Sequence, residues 1–118
     1  RKVFEIFEKY KTPIDMVSTS EVAVSVTIDD ARYLDAIVDE LEAFGHIEVD
    51  KNQTIICVVG NRLIEKEGVL KQVFDSLATV PVRMVSYGGS NNNISILLNT
   101  SNKEKALNLL NEGLFKWV

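Results

Sequence analysis

Two hydrophobic periods alternate along this chain, and they do so in nearly the same order twice. Val3, Ile6, Phe7 and Tyr10 fall at i, i+3, i+4 and i+7, which predicts a helix over residues 1–10 with one buried face. Lys11-Thr12-Pro13 closes it. The period then shortens to two. Residues 14–19 and 22–28 predict strands, the second with Val22, Val24, Val26 and Ile28 alternating against Ala23, Ser25 and Thr27, and Ser20-Glu21 joins them as a hairpin. Asp29-Asp30 offers acceptors for the free N–H groups of a second helix, whose stripe is Leu34, Ile37, Val38 and Leu41, with Gly45 placed as its C′ residue. His46 to Val49 predicts one more strand. The order is helix, strand, strand, helix, strand, which becomes βαββαβ with one strand restored before Arg1.

The pattern then starts again. Thr54 to Val59 predicts a strand, Gly60-Asn61 a turn, and Leu70, Val73, Phe74 and Leu77 a helix. Val82 to Tyr87 and Ile94 to Leu98 predict strands around the polar loop Gly88 to Asn93, whose glycines tolerate positive φ. Ser101 with Glu104 has the spacing of a capping box, and Ala106, Leu109 and Leu110 form the inner face of a last helix. Leu114 to Val118 is too short for a closing strand. The repetition is partly literal: Pro13-Ile14-Asp15-Met16-Val17-Ser18 returns as Pro81-Val82-Arg83-Met84-Val85-Ser86. The expected architecture is α+β, with two ferredoxin-like units at 1–51 and 52–118. Each has an antiparallel sheet covered by helices on one face, lacks one strand, and leaves an open edge that invites another chain.

Composition narrows the class. Hydrophobic residues make up 46% of the chain and charged residues 25%, as in folded globular proteins. Units of about 50–70 residues lie near the lower limit for independent stability, so they are expected to pack on a partner. A net charge of −4 with no Lys/Arg cluster argues against nucleic acid. A βαββαβ sheet is also the RRM architecture, but Val24, Val26, Ile94 and Ile96 stand where that module needs aromatics. The lone Cys57, inside Ile55-Ile56-Cys57-Val58-Val59, is expected to be a buried thiol in a reducing cytoplasm. No apolar run approaches the ~18 residues of a membrane span. Opening inside a helical pattern without Met, the chain reads as a fragment. His46 has no partner at ligand spacing, so no metal is expected and a strand-edge position is. There is no Gly-rich phosphate loop with a Lys and no carboxylate cluster for Mg²⁺, so phosphotransfer chemistry is not expected here.

Ile14-Asp15-Met16-Val17-Ser18-Thr19-Ser20-Glu21-Val22-Ala23-Val24-Ser25 resembles the first ACT domain of aspartate kinases. Ile55, Cys57-Val58-Val59-Gly60-Asn61, Gly68, Val73-Phe74 and Met84 to Leu98, with Tyr87-Gly88, Ser90 and Asn93, resemble the second. The combination is most similar to the monofunctional, lysine-sensitive type. The resemblance implies a carboxy-terminal regulatory region for feedback inhibition by lysine of the step from ATP and L-aspartate to 4-phospho-L-aspartate. It also implies that the first ACT domain is inserted into the second, so that the strand each copy lacks lies upstream. ATP and Mg would belong to an amino-terminal kinase domain of the same chain. No cofactor is expected in this region, and a homo-oligomer, at least a dimer, would form through the ACT sheets. The alternative is a threonine-sensing or free-standing tandem ACT sensor.

By the same resemblance the effector site comprises Ile14, Asp15, Thr19, Ser20 and Glu21. Asp15 and Glu21 would take the ammonium groups of an amino acid, Thr19 and Ser20 would supply hydroxyls, and Ile14 would supply backbone groups. The other half of the pocket, a loop preceding the first helix, is expected upstream of Arg1, at a helix amino terminus suited to a carboxylate. Read from the residues alone, Asp15 is first a solvated acid at a strand start and Ser20-Glu21 an ordinary hairpin turn, and the resemblance reverses that order. Arg83, which replaces Asp15 in the second copy, reads as an exposed or interface charge. The swap suggests that the first copy alone reads a cation. Thr27 is assigned to packing, with coupling to the effector site as the lesser reading, and Asn91-Asn92-Asn93 to a solvent loop in which Asn93 could serve an interdomain contact.

Overall fold

A computed structural model describes residues 2–60, 67–87 and 93–115. The chain divides into two compact units, Arg1–Val49 and Asp50–Val118. In the first, the order is α1 (Lys2–Lys9), β1 (Ile14–Thr19), β2 (Val24–Ile28) and α2 (Leu34–Leu41). The predicted apolar stripes meet: Ile6 and Phe7 of α1 and Ile37 and Leu41 of α2 are buried, and Val3, Tyr10, Ile14, Val26, Ile28 and Ile47 close around them. Helix α1 stops where Lys11 adopts φ 50°. That left-handed residue turns the chain toward Pro13, and the Thr12 amide donates back to the Phe7 carbonyl at 3.0 Å. Strands β1 and β2 pair antiparallel. On the surface, the Glu40 carboxylate of α2 accepts from the Lys9 ammonium at 2.8 Å and from the Tyr10 hydroxyl.

Several expectations for this unit are corrected. The second strand begins at Val24 rather than Val22, and Val22 is 93% exposed in the turn. The Ser20 amide donates to the Ala23 carbonyl at 2.8 Å, which closes the chain into a four-residue connection before the ladder starts. Residues 46–49 form no strand. A strand exists through its neighbour, and among the described residues no strand lies beside this segment. Ile47 still packs on the core, while His46 is an exposed residue 3.3 Å from Glu48 rather than one at a strand edge. Tyr33, not an Asp, precedes α2 and offers no side-chain cap. Asp30 instead accepts from the Arg32 amide at 2.9 Å, one turn earlier. Gly45 is no left-handed C′ residue. Helix α2 unwinds through short-range bonds such as Phe44 N–H to Leu41 O at 2.9 Å, which already satisfy its carbonyls.

The second unit contains β3 (Gln53–Val59), α3 (Val69–Ser76), β4 (Met84–Ser86), β5 (Asn93–Asn99) and α4 (Lys103–Phe115). Strand β5 lies in the middle, antiparallel to β3 on one side and β4 on the other. Ile56, Val58, Ile94, Ile96 and Leu98 give the sheet an apolar face, and Val69, Val73, Leu77, Ala106 and Leu110 cover it from the helices. The α+β class and antiparallel sheets are therefore as the hydrophobic periods implied. Gly68 enters α3 at φ 75°, where a side chain would be strained. Gly113 lets α4 approach α3, since a Cβ there would overlap the Ser76 hydroxyl.

Here too the structure departs from expectation. Strand β4 covers three of the six residues Val82 to Tyr87, although the Arg83 amide still donates to the Leu97 carbonyl at 2.8 Å. Cys57 is exposed, because alternation turns it away from the face on which its neighbours Ile56 and Val58 are buried. The capping box on Ser101 is replaced by Asn99, whose side chain accepts from the Ser101 amide at 2.9 Å, and a 3-10 turn over Thr100–Asn102 precedes α4. Leu114, the first residue of the segment too short for a closing strand, lies within α4. Asn61 of the predicted turn, residues 88–92 of the predicted loop and residues 116–118 lie outside the described residues.

Candidate effector site

The register of the first sheet isolates Asp15. Ile14 faces Ile28 and Met16 faces Thr27, so Asp15 is the extra residue of a β-bulge. Bulges re-aim side chains and interrupt the ladder. Asp15 is exposed, whereas Met16 beside it is 4% exposed. The Met16 amide donates to the Thr27 hydroxyl oxygen at 2.9 Å. Thr27, assigned first to packing from the sequence, thus carries a polar contact to β1.

At the other end of β1, Thr19 pairs with Val24 and the chain turns through Ser20, Glu21, Val22 and Ala23. The Ser20 oxygen accepts from the Ala23 amide at 3.2 Å and lies 3.4 Å from the Val22 amide. Its acceptor capacity therefore goes into shaping the turn. Thr19 and Glu21 are exposed.

The five candidate residues form two groups. Ile14 and Asp15 stand at the start of β1; Thr19, Ser20 and Glu21 stand at its end and in the turn. Four residue steps along the strand separate Asp15 from Thr19, about 13 Å, and Glu21 lies farther on. A lysine molecule spans roughly 8 Å by its bond lengths. One copy of this unit therefore does not bring Asp15 and Glu21 to the same ligand. Strand β1 bonds to β2 on one side, and among the described residues its other edge carries no ladder.

In the second unit the position of Asp15 is taken by Arg83, and its guanidinium is 2.7 Å from the Asp50 carboxylate. Both side chains are more than half exposed, so the pair contributes little stability, but it occupies Arg83 with an acid of its own unit. Between α1 and α2 of the first unit, Lys2, Glu5, Ile6, Lys9, Glu40 and Phe44 line an open groove of about 220 Å³. Hydrogen bonds from Lys9 and then Tyr10 hold the Glu40 carboxyl below the usual carboxylate range. The Glu40 partnership raises Lys9 and Tyr10 in turn. Among the described residues no three His, Cys, Asp or Glu side chains gather to hold a metal ion, and no helix is long and apolar enough to cross a membrane.

The ACT domain family model matches residues 56–114, half of the chain. A solved C-terminal regulatory domain assigned to aspartate kinase in Porphyromonas gingivalis W83 is 50% identical, with a TM-score of 0.88 over 98% of this chain and 78% of that one. The chain belongs to the ACT domain family of aspartokinase regulatory regions. The lysine-sensitive aspartokinase 3 of Escherichia coli K12 is 30% identical over 123 residues, which cover 98% of this ACT region and 27% of that enzyme. The crystal structure of E. coli aspartokinase III with lysine and aspartate, in the T-state, is 31% identical at a TM-score of 0.82, covering 97% of this ACT region and 27% of that chain. The region spans about a quarter of the length of the curated aspartokinases it matches.

Proposed function

We propose that this ACT region, with domains at 1–51 and 52–118, is the regulatory part of an aspartate kinase that lysine inhibits by feedback. The parent enzyme would carry ATP and Mg²⁺ in an amino-terminal kinase domain and convert ATP and L-aspartate to 4-phospho-L-aspartate. The observation that carries the reading is the bulged Asp15, an exposed carboxylate on a strand whose outer edge carries no ladder among the described residues, in a chain related to a lysine-sensitive aspartokinase. In this reading the parent enzyme works in the cytoplasm, a reducing compartment that suits the free, exposed Cys57 thiol.

The separation of the two residue groups has a solution in a dimer. Residues 15 and 19 are symmetric about Val17. Two copies pairing their β1 edges antiparallel about Val17 set Asp15 of one copy opposite Thr19 of the other and Ile14 opposite Ser20, with Glu21 one residue beyond, an isologous interface. Lysine then has an acid for each ammonium, with hydroxyl and backbone groups between. Bound across the interface, it favours the arrangement in which the attached kinase domain is inactive, a population shift set by its differential affinity. Inhibition of the full-length enzyme by lysine, threonine and methionine, separately and in pairs, tests the assignment. Inhibition by threonine but not lysine would replace it with the threonine-sensing alternative.

A further inference from the structure

Helix α1 ends in a left-handed turn: the Lys11 amide donates to the Glu8 carbonyl at 2.9 Å and the Thr12 amide to the Phe7 carbonyl at 3.0 Å, with Lys11 at φ 50°. Glycine or asparagine takes this position readily, and lysine pays a backbone cost there. The second unit makes the same helix-to-strand connection ahead of Pro81 without that cost, since among the described residues Lys11 and Asn52 are the non-glycine residues with positive φ. A strained residue that the fold does not require points to its side chain. Lys11 is exposed and forms no ion pair among the described residues. A cation in the last turn of α1, where the helix carbonyls favour one, is already supplied by Lys9.

The literal repeat shows what accompanies Lys11. The alignment that sets Pro13 on Pro81 sets Asp15 on Arg83, Glu21 on Gly89 and Lys11 on Thr79. The copy with both acids has the cation, and the copy without them lacks it. In the dimer proposed above, Pro13 of one copy stands opposite Glu21 of the other. Lys11 is two residues from Pro13, at most about 7 Å along the chain, and a paired strand lies about 4.8 Å away. An extended lysine side chain carries its ammonium about 6 Å from Cα and a glutamate its carboxylate about 4 Å, so the two groups can meet. Within one copy the length of β1 separates them.

We propose that the Lys11 ammonium is a built-in stand-in for the effector: in the empty dimer it pairs with Glu21 of the other copy, and lysine binds by displacing it. This rests on the reading of Asp15 and Glu21 as the effector's acids and on the β1 pairing of two copies. Without Lys11, the Asp15 carboxylate and that of Glu21 in the other copy share an empty site with no cation between them, an arrangement that like charges oppose. The pair makes part of the unliganded population unable to accept lysine, lowers its apparent affinity, and so sets the threshold of inhibition.

The test uses the full-length enzyme, with the inhibition of each variant read against its own rate without lysine. Lys11→Asn suits the left-handed turn and removes the charge; Lys11→Arg keeps the charge. Lys11→Asn should lower the half-inhibitory lysine concentration about threefold, the scale of one exposed ion pair, and Lys11→Arg should stay with the parent. The Lys11→Asn/Glu21→Gln double variant should show no lower value than Glu21→Gln alone. A zero-length carbodiimide cross-linker, which joins an ammonium to a carboxylate in contact with it, should link Lys11 to Glu21 between copies of the lysine-free enzyme, and lysine should suppress the link. An unchanged or raised half-inhibitory concentration in Lys11→Asn, the same fall in Lys11→Arg, or the absence of the link would overturn the proposal. An enzyme indifferent to lysine contradicts the proposed function instead. The cross-link then decides alone: its presence between copies upholds the pair, and its absence overturns it.

Discussion

The hydroxyl of Tyr10 donates to the carboxylate of Glu40 and so ties the end of α1 to α2 across the surface of the first unit. Lys9 adds an ammonium to the same carboxylate at 2.8 Å, and Tyr33 lies 6.0 Å from Tyr10, ring to ring. The pH dependence follows in sign. The folded Glu40 has a depressed pKa, so its contribution is present above the ordinary carboxylate value of 4.5 and is lost as pH falls below that value through the depressed one. Lys9 and Tyr10 are raised, so their contributions are present at neutral pH and lost in alkali. Glu40→Gln should lower the urea midpoint at pH 7, and the gap from the parent should narrow as both are acidified below pH 4.5. A gap that stays constant through that range would separate Glu40 from acid stability.

A close helix contact supplies a second measurement. Because a Cβ on Gly113 would overlap the Ser76 hydroxyl, Gly113→Ala should destabilise the second unit. The gain in helix propensity, about 1 kcal/mol, works in the opposite direction. Ser76→Ala removes the overlapping oxygen and should recover part of the loss in a double-mutant cycle followed by thermal unfolding. Simple additivity of the two substitutions would mean that α3 and α4 do not meet there.

The cap on the last helix is also specific. Asn99→Ala should cost about 1 kcal/mol, while Ser101→Ala should cost much less, because the Asn99 side chain accepts the Ser101 amide and the Ser101 hydroxyl is not the cap. Urea titration of both variants distinguishes the two.

Much of the fold was legible because hydrophobic period survives folding. Val3, Ile6, Phe7 and Tyr10 of the first stripe do pack with Ile37 and Leu41 of the second, and Ile94, Ile96 and Leu98 do line a core. What failed needed a partner that a linear pattern does not name. Residues 46–49 have strand composition without a strand beside them. Cys57 sits in an apolar run of which one face alone is buried. Ser101 and Glu104 had the spacing of a box, but Asn99 reached the amide first. For the candidate site, the residue types at Asp15 and Glu21 could be read, but not their placement at opposite ends of β1 and its turn. The bulge and the Thr27 contact depend on the register between β1 and β2, which residue types alone did not specify.

The exposed Cys57 gives a direct check on the register between β3 and β5, since it faces Ser95 across that ladder with its sulfur 3.4 Å from the Ser95 oxygen. It should react with a thiol reagent in the folded chain at a rate close to that in denaturant. Protection by orders of magnitude would place it inside.

The central claim is that Asp15, and not its counterpart Arg83, reads the effector. The most direct measurement is the half-inhibitory lysine concentration of the full-length enzyme with Asp15→Ala and, separately, Arg83→Ala. Lysine should inhibit the parent enzyme; Asp15→Ala should raise the half-inhibitory concentration at least about tenfold and Arg83→Ala should leave it within about twofold, with kcat unchanged in both. Undiminished lysine inhibition in Asp15→Ala, or loss of inhibition in Arg83→Ala instead, would contradict the account.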